Sequence, residues 1–134
     1  MKAIIRYKDG YKYQLVGAYT YQTEIYGHTI ETDWIRLEPN GKLTAAKGYA
    51  WNGASGPTVD TKSSIRGSLV HDELYGLMSE YPELLVYRPY ADDLLYAICC
   101  EDGMSSFRAY VWRKMVNWFG EKAAREGDKI LEAP

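Results

Sequence analysis

The sequence has 134 residues, of which 46% are hydrophobic and 25% are charged, and its formal net charge is -2. This length and balance fit a single globular domain, residues 1–134, with one hydrophobic core. The slight negative charge excludes a broadly basic nucleic-acid-binding protein, so we expect no nucleic acid as a partner. The two cysteines, Cys99 and Cys100, are neighbours, which predicts no disulfide framework and favours a reducing compartment.

The chain has no recognisable targeting or membrane-spanning signal. Its N-terminus lacks the long apolar run of a signal peptide. No stretch approaches the roughly 20 apolar residues that are needed to span a bilayer. We therefore expect no transmembrane segment and synthesis in the cytoplasm.

The first 47 residues are expected to form strands. Short apolar and aromatic runs alternate with turn signals such as Asp9-Gly10 and Pro39-Asn40-Gly41. The predicted strands lie at 3–7, 11–16, 19–25, 34–37 and 42–45. This pattern predicts an antiparallel β-meander with one face in water.

Residues 48–60 differ in character because glycine and proline interrupt the apolar pattern. We predict a long ordered loop, since Tyr49 and Trp51 are large enough to anchor it.

Residues 61–120 are expected to form three helices, which makes the fold class α+β. Asp60 or Thr61 is a suitable cap for the first helix, which ends at Tyr81-Pro82. The second helix opens at Arg88-Pro89 and stops at Gly103.

The third helix is predicted at about 105–119, followed by Gly120 as its C-cap and by a peripheral tail, 121–134. Its predicted inward-facing residues are Phe107, Tyr110, Val111, Met115 and Trp118 or Phe119.

The first helix carries the motif that most resembles a catalytic site, His71-Asp72-Glu73-Leu74-Tyr75. His71 and Tyr75 are four positions apart and therefore share one helix face. If the second helix packs antiparallel to the first, Asp92 reaches both of them. A carboxylate bonded to one imidazole nitrogen leaves the other nitrogen free to act as a general base. The competing interpretation is a structural network, because buried polar networks also specify folds.

Asp72 is rotated by about 100° from His71 around the helix axis, so its side chain can point toward the upstream loop. The loop carbonyls and the Asp72 carboxylate would together form an all-oxygen cluster of the kind that binds calcium. Calcium at this position would act as a Lewis acid on a carbonyl or phosphoryl oxygen.

The His71-Asp72-x-x-Tyr75 helix resembles the corresponding helix of phospholipase A2. That resemblance implies that His71 activates water, that Asp72 binds calcium and that Asp92, supported by Tyr75, is the partner of the histidine. It also implies calcium ligands at Trp51, Gly53 and Ser55 and an oxyanion donor at the Gly53 amide. The helical part of the fold would then be phospholipase A2-like.

A second resemblance covers most of the chain. N-terminal strands are followed by three motifs, Ala54-Ser55-Gly56-Pro57, Val70-His71-Asp72-x-x-Tyr75 and Arg88-x-x-Ala91-Asp92. This order is similar to a small domain family of unknown function from tailed phages and prophages. The resemblance implies a phage origin, synthesis in the host cytoplasm and a candidate association with the virion, but no activity.

Two arginines are candidates for substrate binding. The guanidinium of Arg88 suits a phosphate or a carboxylate, or it pairs locally with Glu83, Asp92 or Asp93. Arg66 lies about one turn before His71, where it faces the same site or is a solvated surface charge.

Three functions stay open at this stage. The first is a calcium-assisted hydrolase of a phospholipid or another ester. The second is a non-enzymatic phage virion or tail protein that binds phage structural proteins and keeps His71, Tyr75 and Asp92 for stability. The third is a binder of a host protein.

Overall fold

The computed structural model describes residues 4–8, 11–51 and 61–117, with the side chains of 13–51 and 61–117. The predicted fold class is confirmed, because antiparallel strands occupy the first part of the chain and helices the second. The chain forms two compact units, Met1–Asn52 and Gly53–Pro134. Their boundary lies inside the segment 48–60 that we predicted as a loop.

The first unit is built from strands that all pair antiparallel. The strands are β1 (Ile4–Lys8), β2 (Tyr11–Gln14), β3 (Tyr19–Gln22), β4 (Ile30–Glu31), β5 (Ile35–Leu37), β6 (Lys42–Ala45) and β7 (Ala50–Trp51). They form a three-stranded sheet of order β1-β2-β7 and a four-stranded sheet of order β3-β6-β5-β4. The predicted turn at Asp9-Gly10 lies outside the described residues.

Three details of this unit differ from the sequence-based expectation, and the first is strand β4, Ile30–Glu31, which was not predicted. Ala50 and Trp51, expected in a loop, pair with β2 as strand β7. Strand β3 ends at Gln22 because Thr23 begins a turn, in which its hydroxyl donates to the Gly41 carbonyl and accepts from the Ile25 amide. Such local side-chain hydrogen bonds compete with the ladder of a sheet.

The second unit contains α1 (Lys62–Glu80), a 3₁₀ segment (Pro82–Tyr87), α2 (Arg88–Glu101) and α3, described at residues 106–117. Thr61 caps α1, and its amide donates to the Ser64 hydroxyl at 3.0 Å. Gly103 follows α2 with a φ of 105°, a conformation that favours glycine. The predicted ends of α1 and α2 are therefore confirmed to within a few residues, whereas the predicted cap Gly120 and tail lie outside the described residues.

Helices α1 and α2 approach closely at Gly67. A Cβ atom at this position would lie 2.8 Å from the Cys99 sulfur and 3.3 Å from the Leu95 carbonyl oxygen. Glycine thus permits the helix contact that brings the candidate site together.

Helix α3 packs with a different face from the one predicted. Phe107, Tyr110 and Val111 are 76%, 44% and 36% exposed, so their expected inward orientation is wrong, and Trp118 and Phe119 lie outside the described residues. The buried face instead joins a core cluster of Leu95, Cys99, Met104, Ala109, Trp112 and Val116. The spacing of Ala109, Trp112 and Val116 is also helical, and burial of the larger Trp112 ring selects this face over the other.

Candidate functional site

A hydrogen-bonded cluster joins α1 and α2 at His71, Tyr75 and Asp92. The Nε2 atom of His71 lies 2.8 Å from Oδ1 of Asp92, and the Tyr75 hydroxyl donates to the same oxygen at 2.8 Å. One helical turn separates His71 from Tyr75 on α1, so both side chains reach one carboxylate on α2. The predicted convergence of these three residues is present in the structure.

The two nitrogens of the His71 imidazole have different surroundings in the described part of the chain. His71 is 6% exposed and Asp92 is 3% exposed, so their hydrogen bond is shielded from water. Against an ionised carboxylate, Nε2 carries the proton and Nδ1 carries the lone pair. Among the described residues, Nδ1 has no hydrogen-bond partner. The side chain is therefore arranged to accept a proton at Nδ1.

Tyr75 contacts both His71 and Asp92. Its ring stacks on the His71 imidazole, with 4.2 Å between the ring centroids. Burial, followed by the negative charge of Asp92, raises the pKa of the Tyr75 hydroxyl above its usual value. The hydroxyl therefore stays protonated and acts as a hydrogen-bond donor.

Arg88 approaches the second oxygen of Asp92. Its Nη1 atom lies 3.9 Å from Oδ2 of Asp92 and donates to the side-chain oxygen of Asn117 at 3.1 Å. The Oδ2 atom is buried and has no hydrogen-bond partner within the described ranges. The two oxygens of Asp92 thus have different neighbours, since Oδ1 binds His71 and Tyr75 while Oδ2 faces a cation at longer range.

Glu73, two residues after His71 on α1, is a buried acid that the sequence analysis missed. It is fully buried, and neither carboxyl oxygen has a hydrogen-bond partner in the described part of the chain. Burial, with a smaller contribution from the charge of Asp72, raises its pKa well above the usual value. The available signal was its helical position, because Val70 and Leu77 place Glu73 on an apolar stripe.

The predicted calcium ligands are only partly described. Asp72 is half-buried on α1 of the second unit, and Trp51 is buried in strand β7 of the first. Gly53, predicted both as a ligand and as the oxyanion donor, and Ser55 lie outside the described residues. Within the described ranges, no group of three or more acidic, histidine or cysteine side chains is arranged to hold a metal.

Arg66 is placed apart from the other predicted site residues. Its guanidinium binds both carboxylate oxygens of Asp102, each at 3.0 Å, and also pairs with Glu101 at the end of α2. This contact joins the start of α1 to the end of α2, five residues along the helix from His71. Its partners identify it as part of a helix–helix ion pair.

Comparison of the chain with protein-family models, curated proteins and solved structures gives no significant match. Across the described ranges, none of the helices combines the length and the apolar character required to cross a bilayer.

Proposed function

We propose that this chain is a phage-encoded hydrolase in which His71 is the general base, with a lipid or another ester as its substrate. The observation that carries the proposal is the state of the imidazole, which is bonded to Asp92 through Nε2 and has no partner for Nδ1 among the described residues. A base oriented by a buried carboxylate is the arrangement that activates water for attack on a carbonyl.

In the proposed reaction, His71 takes a proton from water and later gives it to the leaving group. Nδ1 removes a proton from water while the water oxygen bonds to the ester carbonyl carbon. Asp92 stabilises the imidazolium that forms, and Tyr75 keeps the carboxylate aligned. When the tetrahedral intermediate collapses, its bond to the alkoxide breaks and Nδ1 returns the proton to the leaving oxygen.

Calcium is a separate part of the proposal, and no step above depends on it. Asp72 is the candidate carboxylate ligand, with the Trp51, Gly53 and Ser55 carbonyls as further candidates. Isothermal titration of calcium into wild type and Asp72→Asn tests this assignment. Binding that is lost in the variant supports a metal beside His71, whereas equal heats in both proteins would remove calcium from the proposal.

The substrate class is tested with two esters of different size. We expect wild type to hydrolyse a short-chain phosphatidylcholine, a soluble p-nitrophenyl ester or both, above the rate of buffer alone. The assays are run with calcium and with a chelator, so that metal dependence is measured in the same experiment. Absence of hydrolysis of either ester in both conditions would contradict the proposal.

The alternative is a virion or tail protein of a phage, without enzymatic activity. The deep burial of His71 and Asp92 favours it, since buried polar networks also stabilise folds. In the first unit, Tyr26 and Trp34 are 59% and 51% exposed and offer aromatic surface to a protein partner. Co-purification with phage particles, together with the absence of hydrolysis, would favour this function over the first.

A further inference from the structure

Helix α3 exposes an apolar stripe along one of its faces, formed by Phe107, Tyr110 and Val111. Lys114, which is also exposed, follows at the same helical spacing. The four side chains therefore lie along one face over about two helical turns. Contiguous apolar surface of this kind commonly marks a site of interaction, and aromatic residues are enriched in protein interfaces.

Cations border the stripe and are already held in place. The Nζ atom of Lys114 and the Cζ atom of Arg113 lie 5.5 and 5.8 Å from the centroid of the Tyr110 ring. Arg113 also lies 5.2 Å from the centroid of the Tyr96 ring on α2. These cation–π contacts order the rings and the charges before a partner arrives, which lowers the entropy cost of binding.

A cleft of about 330 Å³ between α2 and α3 continues this surface at Lys114. Its lining contains three cations, Arg88, Arg113 and Lys114, and two acids, Asp92 and Asp93. The Asp92 carboxylate is buried, and Asp93 is paired with Arg113 at 3.0 Å. The lining of this α2–α3 cleft therefore has an excess of one positive charge, which one carboxylate from a partner compensates.

We propose that the exposed face of α3 binds an acidic amphipathic helix of a partner protein. The apolar stripe of that helix packs on Phe107, Tyr110 and Val111, and one of its carboxylates enters the α2–α3 cleft. The helical spacing of the stripe favours a helix as the partner, because side-chain ridges of one helix pack into the grooves of another. The lining of the cleft does not include His71, so this binding is independent of the proposed hydrolysis.

Charge distinguishes this partner from two other occupants of the face. Residues 106–117 contain three cations and no acid, so a second copy of the same face would bring like charges together. An anionic lipid surface would repel the Asp93 carboxylate, which is exposed at the edge of the α2–α3 cleft. A protein helix instead places its acids beside the cations and its hydrogen-bond donors beside Asp93.

The test is an anisotropy titration with three fluorescently labelled peptides. The first is an amphipathic helix of leucine, alanine and glutamate, about 18 residues long because shorter isolated helices are marginal in water. The second has lysine in place of glutamate, and the third has the composition of the first in scrambled order. We expect the glutamate peptide to bind at least about tenfold more tightly than the other two, and its affinity to fall as salt is added.

Variants of the surface locate the binding. Phe107→Ser is expected to weaken binding of the glutamate peptide about tenfold, since aromatic side chains commonly dominate the energy of an interface. Lys114→Glu is expected to weaken it similarly and to strengthen binding of the lysine peptide. The matched controls are Val16→Ser, at an exposed valine of the first unit, and Lys62→Glu, at an exposed lysine of α1, and both should bind as wild type does. Thermal denaturation of each variant checks that the fold is retained.

Several results would overturn the proposal. Absence of binding by the glutamate peptide would reject the face as a site for an acidic helix, and equal affinity for the scrambled peptide would remove the need for an amphipathic one. Unchanged affinity in both Phe107→Ser and Lys114→Glu would place the binding elsewhere. Sedimentation with phosphatidylglycerol vesicles that Phe107→Ser abolishes would assign the face to a lipid surface. A dimer at sedimentation equilibrium that Phe107→Ser dissociates would assign it to a second copy.

Discussion

His71 and Asp92 are 21 residues apart in the chain, yet their side chains meet at 2.8 Å within the buried contact of α1 and α2. The carboxylate uses Oδ1 for both His71 and Tyr75, whereas Oδ2 is buried and has no hydrogen-bond partner among the described residues. Asp92 is therefore the residue on which the proposed chemistry depends.

Asp92→Asn removes the buried charge but keeps the shape of the side chain. We expect a loss of roughly 1–3 kcal/mol in the free energy of unfolding, because the bonds to His71 and Tyr75 are charge-assisted. Asp93→Asn is the matched control on the same helix, and an exposed ion pair contributes at most about 1 kcal/mol. Urea denaturation of both variants measures the difference. Equal losses of stability in the two variants would show that the buried Asp92 contributes no more than the exposed Asp93.

Tyr75→Phe removes the hydroxyl that donates to Asp92. We expect a loss of about 1 kcal/mol in stability, typical of one hydrogen bond, and a roughly tenfold lower kcat with little change in KM. The reason is that Tyr75 positions the carboxylate and does not contact the substrate. Tyr26→Phe, at an exposed tyrosine of the first unit, should leave stability and kinetics unchanged. A higher KM with unchanged kcat would instead place Tyr75 in substrate binding.

Glu73→Gln tests the buried carboxyl. Below pH of about 4.5 the folded and unfolded states both hold the proton, but at higher pH the unfolded chain loses it first. Stability of the wild type therefore falls as pH rises, by up to about 1.4 kcal/mol per pH unit until the folded pKa is reached. Glutamine does not titrate, so the stability of the variant relative to wild type should increase as the pH rises from about 5 to 7. Chemical denaturation across this range measures the gain, and parallel curves would contradict it.

Gly67→Ala tests the close contact between α1 and α2. The added Cβ would meet the Cys99 sulfur at 2.8 Å, so we expect a net loss of roughly 1–3 kcal/mol despite the better helix propensity of alanine. The matched experiment repeats the substitution in a Cys99→Ala background, where the obstructing sulfur is gone. A smaller loss in that background supports the contact, whereas equal losses would place the strain elsewhere.

The sequence carried enough information to predict the His71–Asp92–Tyr75 cluster. Helical spacing places His71 and Tyr75 on one face, and antiparallel packing of consecutive helices brings Asp92 opposite them. Both inferences depend on local periodicity, which is the most reliable feature of a sequence.

The missed features depend on contacts that are distant in sequence. Strand β7 forms because Ala50 and Trp51 pair with β2. This strand lies more than 30 residues earlier, and no local sequence signal identifies it as the partner. Helix α3 has two apolar faces, and the face that carries Trp112 is the one that packs against α2. The sequence places Glu73 on an apolar face of its helix. Its burial was not predicted because buried positions are rarely acidic.

The most direct test of the hydrolase is ester hydrolysis by His71→Asn, measured beside its free energy of unfolding. We expect the variant to remain folded and its kcat/KM to fall at least about a hundredfold, since a general base contributes that much or more. Lys62→Gln, at an exposed lysine at the start of α1, is treated identically and should retain wild-type activity. Hydrolysis by His71→Asn at the wild-type rate would contradict the proposed function and would leave His71, Tyr75 and Asp92 as a structural network.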